Sequence, residues 1–366
     1  MSQSHPDLEC LHLHFREGLL WILLVVMGAP EVAGESIWPA DGEYAGSKVC
    51  ASCHQAQARS SSSSGMSRAL QPVTDSYVLN KKPQMEFSDG DYRYLIERRG
   101  LRYLYQVSRG SDQVLEADLL FAFGRGDVGQ TFVFRERGEY FESRVSYFET
   151  VGGLELTVGS RTRKPATIQE ALGRKLSPVE VRECFGCHTT AARRGNILQF
   201  KQYEAGVQCE ACHGPGAVHV ADARRGKRVP GDIRRLRNVG AEGTNDLCGA
   251  CHRTWETVVL RGLRGLNNAR FQPYRLAGSK CFSDDSRIAC TSCHDPHSAL
   301  QRNSNSYDAK CTACHNSGDL AAKLCRVGKG ECVSCHMPRI EIPGTFRAFT
   351  DHRIRIFRTG EEFPED

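Results

Sequence analysis

Residues 206–219 read Gly-Val-Gln-Cys-Glu-Ala-Cys-His-Gly-Pro-Gly-Ala-Val-His, and the Cys-x-x-Cys-His motif inside this stretch occurs seven times in the chain. The seven copies use 14 of the 17 cysteines in 366 residues, whereas the chain's own Cys and His frequencies would produce about 0.03 copies. Numbered 1 to 7 along the chain, the motifs are residues 50–54, 184–188, 209–213, 248–252, 290–294, 311–315 and 332–336. The fold must therefore provide a separate place for each of the seven copies of this motif.

The spacing suits covalent attachment of haem c. Two thiols three residues apart can add to the two vinyl groups of one haem, and the following histidine then lies under the iron as its proximal ligand. Structural zinc needs no histidine after each Cys-x-x-Cys pair, and a disulfide framework gives no reason for seven histidines. We predict seven covalently attached haem c groups. The predicted thioether cysteines are Cys50, Cys53, Cys184, Cys187, Cys209, Cys212, Cys248, Cys251, Cys290, Cys293, Cys311, Cys314, Cys332 and Cys335. The predicted proximal ligands are His54, His188, His213, His252, His294, His315 and His336.

Residues 1–34 are typical of a cleaved export signal. Arg16 precedes an apolar run of 11 residues from Leu19 to Ala29, and the small residues before Glu35 suit cleavage. The alternative is a membrane anchor, but crossing a hydrocarbon core needs about 20 apolar residues. We expect a periplasmic or extracellular protein without a stable transmembrane segment after cleavage, which agrees with attachment of haem c outside the cytoplasm.

The motifs are unevenly distributed along the chain. The 129 residues between motifs 1 and 2 contain none, whereas motifs 2 to 7 fill 153 residues. So little polypeptide per motif predicts closely packed haems, with each motif at the start of a helical turn. In the long gap, alternation of Leu101, Tyr103 and Tyr105 with polar neighbours predicts strands, and the sequences around Gly100 and Gly138 predict hairpin turns.

These features predict the fold class and the domains. We expect a mainly α and irregular multihaem core, made of short helices and loops around stacked haems, with a small antiparallel β domain inserted after the first haem. The expected segments are a signal peptide at 1–34, a first haem segment at 35–83, the β domain at 84–165 and a hexahaem domain at 166–366. The β domain is interpreted as a scaffold or docking module in preference to a catalytic one.

Composition and charge exclude other classes of protein. With 40% hydrophobic and 25% charged residues, the chain is neither a long disordered tail nor a multi-span membrane protein. The net charge of +5 is modest, and the basic segment 224–237 is interpreted as facing haem propionates, solvent or an acidic partner rather than nucleic acid. The expected partners are redox proteins that donate and accept electrons. The sequence leaves the oligomeric state open, with an oligomer as one of the alternatives.

Four stretches carry a family resemblance. Residues 206–219, 290–297 and 332–338, together with the opening Tyr44-Ala-Gly-Ser-Lys-Val-Cys50, resemble multihaem cytochromes of the cytochrome c-552/4 type. The resemblance covers residues 44–66 and about 180–355, and it implies exported electron-transfer proteins related to multihaem nitrogen-cycle cytochromes. One departure concerns motif 1, which is followed by serines and Met66 where the family pattern has an aromatic-rich segment with a histidine.

Spare histidines are the candidate distal ligands. Beyond residue 34 the chain has ten histidines, of which seven are proximal, so His219, His297 and His352 remain. His219 and His297 follow their own motifs too closely to reach the far face of the same iron, so each should serve a neighbouring haem. Met66 is the candidate sixth ligand of the first haem. These candidates are fewer than seven, and lysine, water or a partner chain are the alternatives for the remaining sixth positions. We expect at least one open or exchangeable iron, with the first haem (His54) as its expected place.

Two functions follow from this count. The first is an electron-transfer protein that carries electrons along a chain of haems, and the second is an oxidoreductase that acts on a small nitrogen or sulfur compound at an open iron. A third class, the subunit of an extracellular cytochrome filament, stays open. Of the remaining cysteines, Cys281 and Cys325 are candidates for a disulfide or for buried thiols, and Cys10 lies in the leader.

Overall fold

Apolar residues that alternate with polar ones between motifs 1 and 2 build the largest element, an antiparallel sheet of nine strands. In the computed structural model these strands are β1 (Leu70–Pro72), β2 (Gln84–Asp89), β3 (Tyr92–Arg99), β4 (Arg102–Arg109), β5 (Gln113–Phe123), β6 (Gly129–Glu136), β7 (Glu139–Phe148), β8 (Gly153–Leu156) and β9 (Gly173–Lys175). Strands β2 to β8 pair in chain order, β1 adds to β5 and β9 adds to β7. Because β2 also contacts β8, the sheet is nearly closed.

The structure describes residues 42–358, except 112, 196, 229–230, 232, 285–286, 316–324, 326 and 328–329. These described residues all belong to one compact unit, Ile37–Asp366. The predicted signal peptide at 1–34, with Cys10, lies outside them. Among the described helices, none combines the length and the apolar character needed to cross a bilayer.

Both predicted hairpin turns are confirmed. Gly100, at φ +66°, lies between β3 and β4, while Arg137 and Gly138, at φ +49° and +88°, connect β6 to β7. Positive φ at the turn matches the twist of the flanking strands, which is why glycine occupies these places. Leu101 differs from its prediction as a strand residue: it is 80% exposed, because β4 begins only at Arg102.

The interior of the sheet is aromatic. Tyr94, Tyr105, Phe132 and Phe134 are fully buried, and the Phe134 ring packs in parallel on Phe141 with ring centroids 5.4 Å apart. Helix α4 (Ile168–Leu172) belongs to the same apolar cluster. Burial of side chains this large gives the sheet its own hydrophobic core, independent of any bound group.

The expected fold class, mainly α and irregular with a small inserted β domain, is wrong. A nearly closed sheet of nine strands runs from Leu70 to Lys175, and several of its strands are 8 to 11 residues long. The alternation of apolar and polar residues between motifs 1 and 2 predicts only part of this sheet. The short strands β1 and β9 have three residues each, too few for alternation to be recognised.

Apart from the helices Pro178–His188 and Gly240–His252, the remaining elements are short. The other helices are α1 (Ser47–Cys53), α2 (Gln55–Ser61), α3 (Tyr77–Lys81), α5 (Pro178–His188), α6 (Cys209–His213), α7 (Ala217–Arg224), α8 (Gly240–His252), α9 (Trp255–Leu260), α10 (Gln272–Ala277), α11 (Lys280–Asp284), α12 (Cys290–Cys293), α13 (Asp308–His315) and α14 (Cys332–His336). Three two-stranded ribbons join β10 (Thr189–Thr190) to β13 (Glu204–Ala205), β11 (Arg193–Arg194) to β12 (Ile197–Leu198), and β14 (Arg339–Glu341) to β15 (Ala348–Thr350). Motifs 3, 5 and 7 begin a helix as expected, whereas motifs 1, 2, 4 and 6 lie at the end of one.

Helix α5 connects the sheet to motif 2. The Ser177 hydroxyl accepts from the Glu180 backbone N–H and the Glu180 carboxylate accepts from the Ser177 N–H, with Pro178 in the first turn. Phe185, inside the motif, is fully buried and meets Phe121 and Phe123 of β5 edge-on at 4.9 and 5.3 Å between ring centroids. The sheet thus supports an attachment motif through an aromatic cluster.

Candidate haem-attachment sites

The three spare histidines each lie opposite a motif histidine. The ring centroids of His54 and His219 are 6.4 Å apart with 26° between the planes. The corresponding values are 6.0 Å and 7° for His213 and His297, and 6.2 Å and 40° for His294 and His352. These pairs are the most specific feature of the site.

The separations fit two imidazoles on opposite faces of one metal ion. A metal–imidazole nitrogen bond is about 2 Å long, so two such bonds in line place the ring centroids about 6 Å apart. Direct stacking of the two rings would bring them closer than this. The residues present therefore fit a haem iron held between two histidines at motifs 1, 3 and 5.

The second ring nitrogen of several histidines is oriented by the backbone. Nδ1 lies 2.9 Å from the Ala69 carbonyl oxygen in His188, 2.8 Å from that of Arg234 in His213, 3.0 Å from that of Arg355 in His336 and 3.0 Å from that of Thr350 in His352. A carbonyl can only accept, so Nδ1 carries the proton and Nε2 keeps its lone pair. This arrangement orients metal-ligating imidazoles and makes them more basic.

Burial keeps the imidazoles in the form that binds metal. It lowers the pKa of His352 to about 4, and it also lowers the pKa of His188, His252 and His294. Only the neutral ring has a free nitrogen lone pair, so these side chains are suited to ligation near neutral pH.

His352 is held by a buried ionic network. The Arg275 guanidinium donates to both carboxylate oxygens of Asp351 at 2.9 and 3.1 Å, and the two side chains are 1% and 0% exposed. Arg355 adds a third contact to Asp351 at 2.6 Å, and the Ser279 hydroxyl donates to the His352 carbonyl at 3.0 Å. The segment that carries Asp351 thereby returns over α10 and the turn that follows it, and brings His352 to motif 5.

His213 and His297 both line a cavity of about 560 Å³. Its wall also includes Arg235, Arg237 and Arg287, together with Leu236. Two arginines of the basic segment 224–237 therefore line the same cavity as this histidine pair. Guanidinium groups there suit a ligand that carries carboxylates, as haem does.

At motif 1, His219 lies opposite His54. Met66 stays a predicted ligand of this motif, and its backbone carbonyl accepts from the Val207 N–H beside motif 3. Gly206, at φ +76°, has the Ser67 carbonyl oxygen in the place that a Cβ would occupy, so this close approach requires glycine. Among the described ring pairs, no second histidine faces His188, His252, His315 or His336.

The motifs lie beside one another. Four pairs of cysteines from different motifs lie close enough for their thiols to interact electrostatically: Cys50 with Cys209, Cys187 with Cys251, Cys248 with Cys290, and Cys311 with Cys332. The helices of motifs 1 and 3, 4 and 5, and 6 and 7 also contact each other. Spacing along the chain does not reveal these neighbours, because motifs 1 and 3 are separated by the whole sheet.

Comparisons with known proteins support this chemistry. A family model described as cytochrome c554 and c-prime matches residues 157–214, which include motifs 2 and 3. The multiheme cytochrome MtrA of Shewanella baltica (strain OS185) is 26% identical over 148 residues, which is 37% of this chain and 38% of that protein. The chain thus matches well under half the length of this relative. No solved structure shows a significant match. The two matches support a multihaem c-type cytochrome.

Proposed function

We propose that this chain is an exported heptahaem c-type cytochrome that carries electrons between redox partner proteins along a series of adjacent haem sites. The observation that supports it best is the set of three histidine pairs, each at a separation suited to one iron. When bound, haem c supplies a one-electron iron couple whose potential depends on axial ligand, burial and nearby charge. The seven motifs would hold it through the fourteen predicted cysteines and seven proximal histidines.

The neighbouring thiols suggest an order for the series. Motif 1 lies beside motif 3, motif 4 beside motif 5, and motif 6 beside motif 7. Cys212 of motif 3 lies near Cys248 of motif 4, and Cys293 of motif 5 lies near Cys314 of motif 6. The series is then 1, 3, 4, 5, 6, 7, with motif 2 attached beside motif 4 through Cys187 and Cys251.

The chain's own residues supply the distal ligands. We assign His219 to the iron of motif 1, His297 to that of motif 3 and His352 to that of motif 5. Each assigned histidine follows an attachment motif and faces the histidine two motifs earlier. On this assignment the iron of motif 1 has two histidine ligands without Met66. The irons that have no assigned distal ligand are then those of motifs 2, 4, 6 and 7, and the open position is expected among these instead of at the first haem.

Intact mass and spectroscopy test the proposal. Matured protein is expected to carry seven covalent haems by mass and pyridine haemochrome assay, and electron paramagnetic resonance is expected to show three or more low-spin irons with two histidine ligands. Five or fewer haems would contradict the assignment of every motif, and no bis-histidine signal would contradict the three pairs.

A second candidate is an oxidoreductase for a small nitrogen or sulfur compound. The observation that favours it is that all three spare histidines lie opposite motifs 1, 3 and 5, which leaves four irons without a described facing histidine. An iron with an exchangeable position can bind a small ligand. Turnover of nitrite or hydroxylamine with a reduced dye, together with a high-spin signal that cyanide removes, would support the enzyme. Seven low-spin irons that bind no added ligand would exclude it.

A further inference from the structure

The seven motifs fall into two sequence classes. Motifs 1, 5 and 7 read Cys-x-Ser-Cys-His, motifs 3, 4 and 6 read Cys-x-Ala-Cys-His, and motif 2 has glycine at this position. In the serine class the hydroxyl contacts the residue before the first cysteine. Ser52 donates to the Val49 carbonyl at 2.7 Å, Ser334 donates to that of Glu331 at 2.6 Å, and Ser292 accepts from the Ala289 N–H at 3.1 Å.

Two alanine-class motifs carry a polar side chain three residues before their first cysteine, and it binds a serine-class motif. Asn245, before motif 4, accepts from the Cys290 N–H at 2.9 Å and donates to the Ile288 carbonyl at 2.9 Å. Asp308, before motif 6, accepts from the Cys332 N–H at 2.9 Å and from the Glu331 N–H at 2.6 Å. In both cases the polar residue lies three positions before the first cysteine of its own motif, and it accepts from the backbone N–H of the first cysteine of the other motif.

The third alanine-class motif uses a residue inside the motif. Glu210 is 1% exposed and its carboxylate accepts from the N–H groups of Ala45 and Gly46, both at 2.8 Å, and from Gly216 at 2.6 Å. Ala45 and Gly46 lead directly into α1, which carries motif 1. Each alanine-class motif is therefore hydrogen-bonded to one serine-class motif, in the pairs 3 with 1, 4 with 5, and 6 with 7.

We infer that Glu210, Asn245 and Asp308 are positioning residues, each of which fixes the spacing between two haem-attachment motifs. The N–H groups before and in the first helical turn have no partner within their own helix, so an oxygen from a neighbouring element can hold that turn in place. In two pairs the bound N–H belongs to the first thioether cysteine itself. The same three pairs bring together the thiols of Cys50 and Cys209, Cys248 and Cys290, and Cys311 and Cys332. Motif 2 stands outside this scheme, because Phe185 packs it on the sheet.

The inference rests on the proposed function, because it takes the motifs to be haem sites. It is tested in the matured full chain by the Soret circular-dichroism couplet, which arises from neighbouring haems at a fixed mutual orientation, and by magnetic coupling in the paramagnetic resonance spectrum. Asn245→Ala and Asp308→Ala are expected to keep seven haems by mass and to lose part of both signals. Asp246→Ala is the matched control, since Asp246 is an exposed neighbour of Asn245 on α8.

Conservative variants separate positioning from general damage. Asp308→Asn keeps one acceptor oxygen and should fall between wild type and Asp308→Ala. If Asp308→Ala does not acquire its haems, the Soret couplet and the magnetic coupling are compared with wild type in Asp308→Asn and Asn245→Ala instead. Unchanged couplet and coupling in the variants that retain seven haems would overturn the positioning role. A wild-type mass with fewer than seven haems would instead contradict the proposed function, so the two failures are distinguishable.

Discussion

His219, His297 and His352 have in common that each faces a histidine far from it in sequence. Counting histidines was enough to identify them as candidate ligands. Their partners could not be predicted, because partner choice depends on how distant segments pack. The sequence makes Met66 the candidate for motif 1 because spare histidines are scarce and the family's histidine is missing after that motif, whereas the fold brings α7, with His219, to the same motif.

Replacing His297 by alanine should open one iron. The cavity that His213 and His297 both line is also lined by arginines and small residues, and no other described ring faces His213 in this pairing. We expect one additional high-spin signal in the paramagnetic resonance spectrum, with the haem count unchanged. A spectrum identical to wild type would return His297 to a structural role.

Replacing Asp351 by alanine should destabilise the protein and release His352. Removing one partner of a buried ion pair leaves the other charge unpaired, which costs about 3–5 kcal/mol. Denaturant unfolding should measure this loss, and a new high-spin signal should accompany it. The control is Arg302→Ala, which breaks an ion pair with Asp127 whose arginine side chain is 67% exposed and should cost about 1 kcal/mol or less. Equal effects of the two variants would contradict the buried network's role.

At the scale of elements, the alternating strands and both glycine turns were predictable because their signals are local. The closure of the sheet was not, because it depends on contact between β2 and β8, which are far apart in sequence. The positions of the motifs within helices were predictable only in part. Motifs 2, 4 and 6 end helices that begin upstream at Pro178, Gly240 and Asp308, so the motif does not decide where the helix starts; in α5 the start is set by the Ser177 cap.

Helix α5 offers a direct test of such capping. Ser177→Ala removes the side-chain acceptor at its N-terminus and should lower the free energy of unfolding by about 1 kcal/mol. Ser177→Asp, which retains an acceptor, should remain close to wild type. No difference between the two variants would show that packing of Phe185 alone maintains the helix.

The same cap predicts a pH dependence. The Ser177 backbone N–H, together with Arg174, holds the pKa of Glu180 at about 2, below the value of about 4.3 expected in an unfolded chain. Because the folded pKa is the lower one, the stabilisation is complete above the unfolded value and is lost as the pH falls from about 4.3 towards 2. Glu180→Gln should therefore be less stable than wild type at pH 5, with the difference shrinking on acidification. A constant difference in denaturant unfolding would contradict this.

At the scale of the molecule, the sheet and the motif-bearing helices share an apolar cluster. Phe185 of motif 2, Leu70 of β1 and Val133 of β6 belong to it. Packing of this kind couples the two regions, so we expect wild-type unfolding to be one transition when followed both by far-ultraviolet circular dichroism and by Soret absorbance.

Phe185→Ala should weaken that coupling. Truncation of a fully buried phenylalanine lowers the free energy of unfolding by about 3–5 kcal/mol. Here the lost contacts are those between the sheet and the helix that carries motif 2. The two probes should then report separate midpoints, with the Soret change at the lower temperature. Phe87→Ala, at a partly buried ring that packs against the sheet core, should lower both midpoints together. Coincident transitions in Phe185→Ala would show that other contacts join the regions.

The direction of the histidine pairing has a consequence for biosynthesis. In every pair the histidine that we assign as distal is the later one in the chain, so on this assignment a polypeptide exported from its N-terminus would expose motif 1, 3 or 5 to haem attachment before the second ligand has crossed the membrane. On this assignment each of these irons passes through a stage with one protein ligand, and the last is completed only when residue 352 has been delivered. On this assignment, a chain that stops before residue 219, 297 or 352 would lack the distal ligand of the corresponding iron. Such a chain would be recognised by irons that have only one protein ligand.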